Sequence, residues 1–296
     1  MKQRFETMHP GVCLLYFMAV LGCTMVCRHP IYLTISFCCA AGYTILLRGK
    51  VGIRFFIGVV LPVCLLSVVL NGWFHHYGVT PLFRLPGGNR VTLEALCQGA
   101  VLGGMFGAAT LWLYCFGIVL PQDKLLYLGS QCMPALSLVL TMALRFVPTY
   151  TAQTAKIIRA RQGMLGKSRE QKFRQKMRHG GTVLSILTTW ALENSIQTAD
   201  SMRARGYGAA KRSSYRRYRW HAKDIICALC ILLIVGMLVG LAITGAWNVQ
   251  YDPVIRFPEA MPIRYAGYVI YTVLCAMPLY MDIRGAWKWQ RYLSKI

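Results

Sequence analysis

The sequence predicts an all-α polytopic membrane protein of about six spans that also carries long amphipathic helices outside the bilayer. Three observations predict it. Hydrophobic residues fill 56% of the 296 positions and charged ones only 15%, at a mean hydropathy of +0.45, which is too apolar for a soluble domain of this length. Apolar runs near the ~20 residues that a bilayer-crossing helix needs recur along the chain. The 33 Lys and Arg against 10 Asp and Glu, net +23, crowd into segments between those runs. This composition excludes a disordered chain and a secreted disulfide scaffold, and the length excludes a single-span anchor. A basic face can also bind nucleic-acid phosphates, so composition alone leaves that class open.

The apolar runs fall at about 11–27, 31–47, 53–71, 95–120, 225–247 and 265–281. An even number of spans puts both termini on one side. If that side is the cytoplasm, the inside segments 1–10, 48–54, 121–224 and 282–296 hold 28 of the 33 basic residues. The positive-inside rule then fixes both termini as cytoplasmic. No small-residue cleavage site follows the first run, so it is expected to stay as a helix. The chain divides into N-terminal membrane helices over 1–120, a cytoplasmic helical region over 121–224 and C-terminal membrane helices over 225–296.

Between the third and fourth runs, Asn71-Gly72, Pro81 and Pro86-Gly87-Gly88-Asn89 rule out a continuous helix over 72–92. His75 and His76 lie there without a nearby acid or Cys and read as solvated loop residues. In the fourth run Gly99, Gly103 and Gly107 repeat every four residues, a bare stripe on which another helix can pack. Most of the 12 cysteines sit inside apolar runs, where a free thiol behaves as a small hydrophobe. Cys227-x-x-Cys230 has no second pair at zinc spacing, so no metal site is expected.

The region 121–224 is a series of amphipathic helices. Leu125 to Val147 is fairly apolar and contains Pro134, as expected for helices that lie against the membrane face or against the other helices without spanning the bilayer. A second helix is expected over Thr149 to Gly163, with Ala152, Ala155 and Ile158 along one side. A third starts near Thr182, its apolar side formed by Val183, Ile186, Leu187, Trp190, Leu192, Ile196 and Ala199. From Arg145 to Lys223 there are 18 Lys or Arg against Glu170, Glu193 and Asp200. Runs such as Lys167 to Arg178 and Lys211 to Arg219 read as a solvated face near anionic lipid.

Gly166-Lys167-Ser168 imitates the end of a phosphate-binding loop, but Arg161 stands where its first Gly belongs and no strand precedes it. The ten acidic residues, among them Glu94, Asp224 and Asp282, are expected in loops or at span ends, so no proton relay is foreseen. No paired carboxylates or acid/His cluster suggest catalysis. The chain reads as a non-catalytic scaffold without cofactors, driven by something else.

Two segments carry a resemblance. Ser201-Met202-Arg203-Ala204-Arg205-Gly206-Tyr207-Gly208 ends the third amphipathic helix. Upstream stand Met133-Pro134-Ala135, then Met142-Ala143-Leu144-Arg145-Phe146-Val147-Pro148, then Ile158-Arg159-Ala160-Arg161. With His9-Pro10 and Arg28-His29-Pro30 flanking the first span, the chain resembles the transmembrane coupling (T) component of energy-coupling factor transporters. The resemblance implies a subunit of the bacterial cell membrane that joins two cytoplasmic ATPase subunits to a small membrane substrate-binding subunit, importing vitamins or transition-metal ions. It implies that two coupling helices end in Ala-Arg-Gly motifs docking on the ATPases, here Arg159, Ala160, Arg161 and Gly163, and Arg203, Ala204, Arg205 and Gly206.

Residue chemistry is compatible with that role. An arginine at a helix end can form two parallel hydrogen bonds to a carboxylate, and Ala beside it leaves room for close approach. Gly206 permits the helix to stop and turn. A helix-end arginine is also favoured simply by the helix dipole. The first motif departs from the family pattern, since Gln162 separates Arg161 from Gly163. Arg159 and Arg161 are therefore both candidates, with Arg161 preferred. Set on helices between spans, the basic excess points to membrane lipid and to carboxylates on a partner, not to nucleic acid. The alternative is a self-sufficient permease or channel with a basic cytoplasmic domain. The resemblance implies that a separate subunit binds the transported substrate, so its identity is not read from this sequence.

Overall fold

The computed structural model describes residues 5–27, 29–74, 80–84, 90–165, 173–209, 218–243 and 262–293. After a single 3-10 turn at Phe5–Thr7 come α1 (Pro10–Val26) and α2 (Pro30–Arg48). Helices α3 (Lys50–Phe55) and α4 (Leu61–Phe74) join through a π-helical turn at Phe56–Val60. A short hairpin, β1 (Pro81–Arg84) with β2 (Arg90–Thr92), leads to α5 (Leu93–Val119). Then follow α6 (Gln122–Cys132), α7 (Pro134–Leu165), α8 (Phe173–Ala204), α9 (Ala222–Ile243) and α10 (Pro262–Leu293). The all-α membrane architecture is as expected, and six of the described helices are long and apolar enough to cross a membrane.

The six are not quite the expected six. Pro10–Val26 has 17 residues and falls among the shorter apolar helices, whereas Pro134–Met164 joins the set. The second change comes from two prolines. Pro134 occupies the first helical position, where its missing N–H costs nothing. Pro148 sits inside the helix without ending it, so the expected break between Val147 and Thr149 is absent and 32 residues run as one rod. The expected helix start near Thr182 lies instead at Phe173, because Gly180 and Gly181 are carried within the helix despite their poor propensity.

The chain forms two compact units, one from residues up to Leu125 together with those from Tyr218 onward, the other from Leu126–Arg217. The core of the first unit is aromatic. Trp112 is fully buried among Tyr16, Phe17 and Tyr43. Its Nε1–H donates to Ser36 Oγ at 3.0 Å, and Thr24 Oγ1 lies 3.1 Å from Ser36 Oγ and 3.2 Å from the Tyr271 hydroxyl. Thr24 gives its own proton to the Val20 carbonyl at 2.7 Å, which leaves Ser36 and Tyr271 as the donors to it. Every proton in this buried set thus has an acceptor, the condition for placing hydroxyls in an apolar bundle.

Helices α4 and α5 pack through glycine. A Cβ on Gly99 would meet Asn71 Cβ at 2.8 Å, on Gly103 the Cys64 carbonyl oxygen at 2.8 Å, and on Gly107 Cys64 Sγ at 2.8 Å. The close approach lets Cys64 Sγ donate to the Gly103 carbonyl at 3.2 Å and Ser67 Oγ to that of Gly99 at 3.3 Å. All 12 cysteines are free; Cys227 is buried and Cys230 exposed.

Helix starts use short polar devices that the sequence reading passed over. His9 and His29 each cap their helix by accepting through Nδ1, from the N–H of Gly11 at 3.2 Å and of Ile31 at 3.3 Å. The prolines that follow occupy the first helical positions, where no N–H is required. Thr92 caps α5, and Glu94 in its first turn accepts from Thr80 Oγ1 at 2.8 Å. Asp282 was expected at a span end but lies inside α10, buried, accepting from the Phe5 N–H at 2.7 Å.

The second unit is built on α7 and α8, 32 residues each and so about 48 Å long. Tyr150 packs edge-on against Trp190 with ring centroids 5.7 Å apart. Arg161 reaches His179. These pairs make the helices antiparallel and set which face is inward. On α7 it is Tyr150, Gln153, Thr154, Ala155, Ile157 and Arg161, with Ala152 and Ile158 left exposed. On α8 it is Val183, Leu187, Trp190, Asn194 and Thr198, with Ile186, Leu192, Ile196 and Ala199 exposed. The expected stripes are met in part: Ala155, Val183, Leu187 and Trp190 face inward as expected, whereas the contact set by Tyr150 against Trp190 and Arg161 against His179 leaves the other expected residues outside.

Candidate functional site

The candidate site is the pair of arginine motifs near the C-terminal ends of α7 and α8. In the first, Arg159 is exposed and its Nε–H donates to the Ala155 carbonyl one turn back at 3.2 Å. Ala160 and Gly163 are exposed as well, and nothing lies within 4 Å of a Cβ added to Gly163. The helix continues past Gly163 to Leu165, so this glycine does not terminate it. Arg161 is half-buried. Its Nη1–H donates to the His179 carbonyl at 3.2 Å, and Nη2 lies 3.2 Å from His179 Nδ1. One arginine of the motif thus points outward while the other ties α7 to α8.

The second motif ends α8 by a defined geometry. The Gly206 N–H donates to the Arg203 carbonyl at 2.9 Å and the Tyr207 N–H to the Met202 carbonyl at 3.0 Å. That pair of bonds is the Schellman arrangement, which requires a left-handed residue after the cap. Gly206 supplies it at φ 79°, and Gly208 follows at φ 93°. Arg203, Ala204 and Arg205 are exposed on the last turn. There the guanidinium charges offset the negative end of the helix dipole. Among the described residues none of Arg159, Arg161, Arg203 and Arg205 is ion-paired with a carboxylate.

The structure does not bring the motifs together. From His179, which touches Arg161, to Arg203 is 24 residues along α8, or about 36 Å. They stand at opposite ends of one helical pair. Gly99, Gly103 and Gly107 belong to the α4/α5 contact of the other unit. No group of three or more His, Cys, Asp or Glu able to hold a metal ion occurs among the described residues. His75, His76, Gly166-Lys167-Ser168, the first half of the Lys167 to Arg178 run and most of the Lys211 to Arg219 run lie outside the described residues. The sequence reading missed His179 as the partner of Arg161; its only signal was a lone histidine within a basic run.

Fold and site together define a multi-pass membrane protein whose basic groups are displayed at the ends of long helices. Comparison with known proteins says which one of that class. The family model CbiQ, described as cobalt transport protein, matches residues 1–215. The chain belongs to this family. It is 32% identical over 105 residues to the energy-coupling factor transporter transmembrane protein EcfT of Lactobacillus helveticus, covering 35% of this chain and 38% of that one. To EcfT of Lacticaseibacillus paracasei it is 36% identical over 105 residues (35% and 40% of the two chains), and to that of Staphylococcus aureus 31% over 111 residues (37% and 41%). The matched stretch spans about two fifths of the length of these curated relatives. The resemblance to the T component of energy-coupling factor transporters, drawn from the two arginine motifs, is borne out at the level of family.

Proposed function

We propose that this chain is the membrane coupling subunit of an energy-coupling factor type importer, with both termini cytoplasmic. In this reading it passes the ATP-driven motion of two cytoplasmic ATPase subunits to a small membrane substrate-binding subunit, for uptake of a vitamin or a transition-metal ion. The observation that carries the reading is the display of exposed arginines at opposite ends of one antiparallel helical pair. Two separated keys suit two motor subunits. A stiff pair of helices suits the transmission of displacement between them.

Each arginine has a distinct part. Arg205 and Arg203, on a helix end fixed by the Gly206 turn, form the second key. At the first key the outward Arg159 is favoured as the docking residue, because Arg161 is already occupied by His179 and braces the joint from within. A guanidinium entering a groove forms two parallel bonds to a carboxylate, which fixes direction as well as attraction. Hydrolysis of ATP belongs to the partners, and the remaining basic excess holds anionic lipid.

Co-purification tests the reading. The tagged chain is expected to retain both ATPases, and Arg159→Ala with Arg205→Ala to release them, since truncating a charge-paired arginine at an interface costs about 2–5 kcal/mol. Unchanged association and uptake in the double variant would overturn it, as would uptake by the purified chain alone in liposomes.

A further inference from the structure

The segment Phe5–His9 touches the rest of the first unit at three places far apart in sequence. Phe5 is fully buried, its ring edge-on to Tyr16 and Phe17 with centroids 5.2 and 6.3 Å away, and its N–H is held by Asp282. Lys124 is also buried; its Nζ donates to the Glu6 carbonyl at 2.6 Å and to the Val119 carbonyl at 2.8 Å. An ammonium taken out of water is tolerated only where such acceptors are built around it. At the other end of the segment, the His9 N–H donates to Asp224 Oδ1 at 3.4 Å, and its imidazole stacks on Trp220 with centroids 3.9 Å apart at 20°. Asp224 Oδ2 in turn accepts from the His221 N–H at 3.1 Å.

The positions of these partners in the chain give the contacts their meaning. Lys124 stands at the start of α6, where the chain leaves for the second unit after Leu125. Trp220 and Asp224 stand where it has just returned, at Tyr218 and the first turn of α9. We infer that Phe5–His9 is a clasp that ties the outgoing and the returning chain of the coupling unit to one base, with Lys124, Trp220 and Asp224 as its positioning residues. The inference rests on the coupling reading above. A pair of helices can deliver displacement to a membrane partner only if the other ends of their connections are held; otherwise the connections absorb the motion.

The two halves of the clasp differ in strength. The outgoing side is buried, through Phe5 and Lys124. The returning side is the yielding one, since Trp220 is 54% exposed and only one face of its ring is covered by His9. Replacing Trp220 therefore loosens the clasp without opening the core.

The test has two arms. In the first, amide hydrogen exchange is measured on the isolated chain in detergent. Trp220→Ala is expected to speed exchange at His9 and Asp224 on the order of fivefold, the factor that corresponds to an aromatic contact of about 1 kcal/mol. Trp220→Phe is expected to stay near wild type. In the second, the chain with its ATPases and substrate-binding subunit is placed in liposomes; cobalt(II), nickel(II) and riboflavin are offered, and the probe that the wild type accumulates is used. Trp220→Ala is expected to keep the ATPases bound and hydrolysing while probe uptake per ATP falls, with recovery in Trp220→Phe. Faster exchange with unchanged uptake per ATP would overturn the role of the clasp, and unchanged exchange would overturn the clasp itself. If Trp220→Ala does not accumulate in membranes, Trp220→Leu, which keeps apolar bulk without the stack, takes its place in both arms. A wild-type chain that binds no ATPase and accumulates no probe ends the coupling reading and with it the transport role, while exchange still decides whether the clasp exists.

Discussion

The two units are both helical and both carry a tryptophan between helices, yet they are held together in different ways. Trp112 in the first unit is fully buried and its N–H is satisfied by Ser36. Trp190 in the second is half-buried and, among the described residues, has Tyr150 as its aromatic neighbour. Among the described residues the largest fully buried side chains belong to the first unit, whereas Leu184, Leu192 and Ile196 of α8 are about 62–63% exposed. A region with its own core resists deformation. One that leaves apolar and basic side chains uncovered is completed by what it meets, which suits a part that docks on partners.

The largest expected effect separates these two tryptophans directly. Trp112→Ala removes a buried ring and leaves a cavity, a loss of about 3–5 kcal/mol, visible as a fall of about 10 °C in thermal unfolding in detergent. Trp190→Ala should cost about 1 kcal/mol, the scale of one edge-to-face pair. Equal losses would show that the second unit has a core of its own and would end the comparison. Next in size, Gly206→Ala forces a side chain into the left-handed conformation, at about 1–2 kcal/mol. Because that strain is confined to the end of α8, binding to the ATPases should weaken about tenfold with the unfolding temperature nearly unchanged; a parallel fall in both would place the glycine in the fold and not in the key.

The smallest effect is a pH dependence of the first unit. Burial lowers the pKa of His9 from its ordinary 6.5, partly opposed by the nearby Asp224 carboxylate. Its Nδ1 must stay unprotonated to accept from Gly11. The unfolded chain therefore binds this proton more readily than the folded one, so the stability His9 contributes is present above about 6.5 and declines as pH falls below it. Thermal unfolding between pH 5 and 8 should show the decline in wild type and lose part of it in His9→Gln.

Much of this was readable from residue order. Long apolar runs and the turn residues of 72–92 announce membrane helices and their interruption. Ala204-Arg205-Gly206 announces a helix end, because a glycine after a basic last turn is the local chemistry of a Schellman stop. What the sequence hid depends on partners distant in the chain. Pro148 reads as a break, although α7 continues through it. The inward faces of α7 and α8 follow from Tyr150 meeting Trp190 and Arg161 meeting His179, which no periodicity reveals. Lys124 reads as one surface charge among many, and only the fold brings the Glu6 carbonyl to it. Asp282 reads as the end of a span until Phe5 is found against it.

The π-helical turn at Phe56–Val60 has a consequence for the tolerance of this chain to changes in length. It lies within an unbroken helix, between Lys50–Phe55 and the part of α4 whose Cys64, Ser67 and Asn71 meet the glycines of α5. A π turn holds one residue more than an α turn. Loss of one residue there would restore a regular helix and swing those three side chains by about 100° away from Gly99 and Gly103. A surface loop absorbs such a deletion; here the count of residues between 56 and 60 is itself part of how the two helices recognise each other.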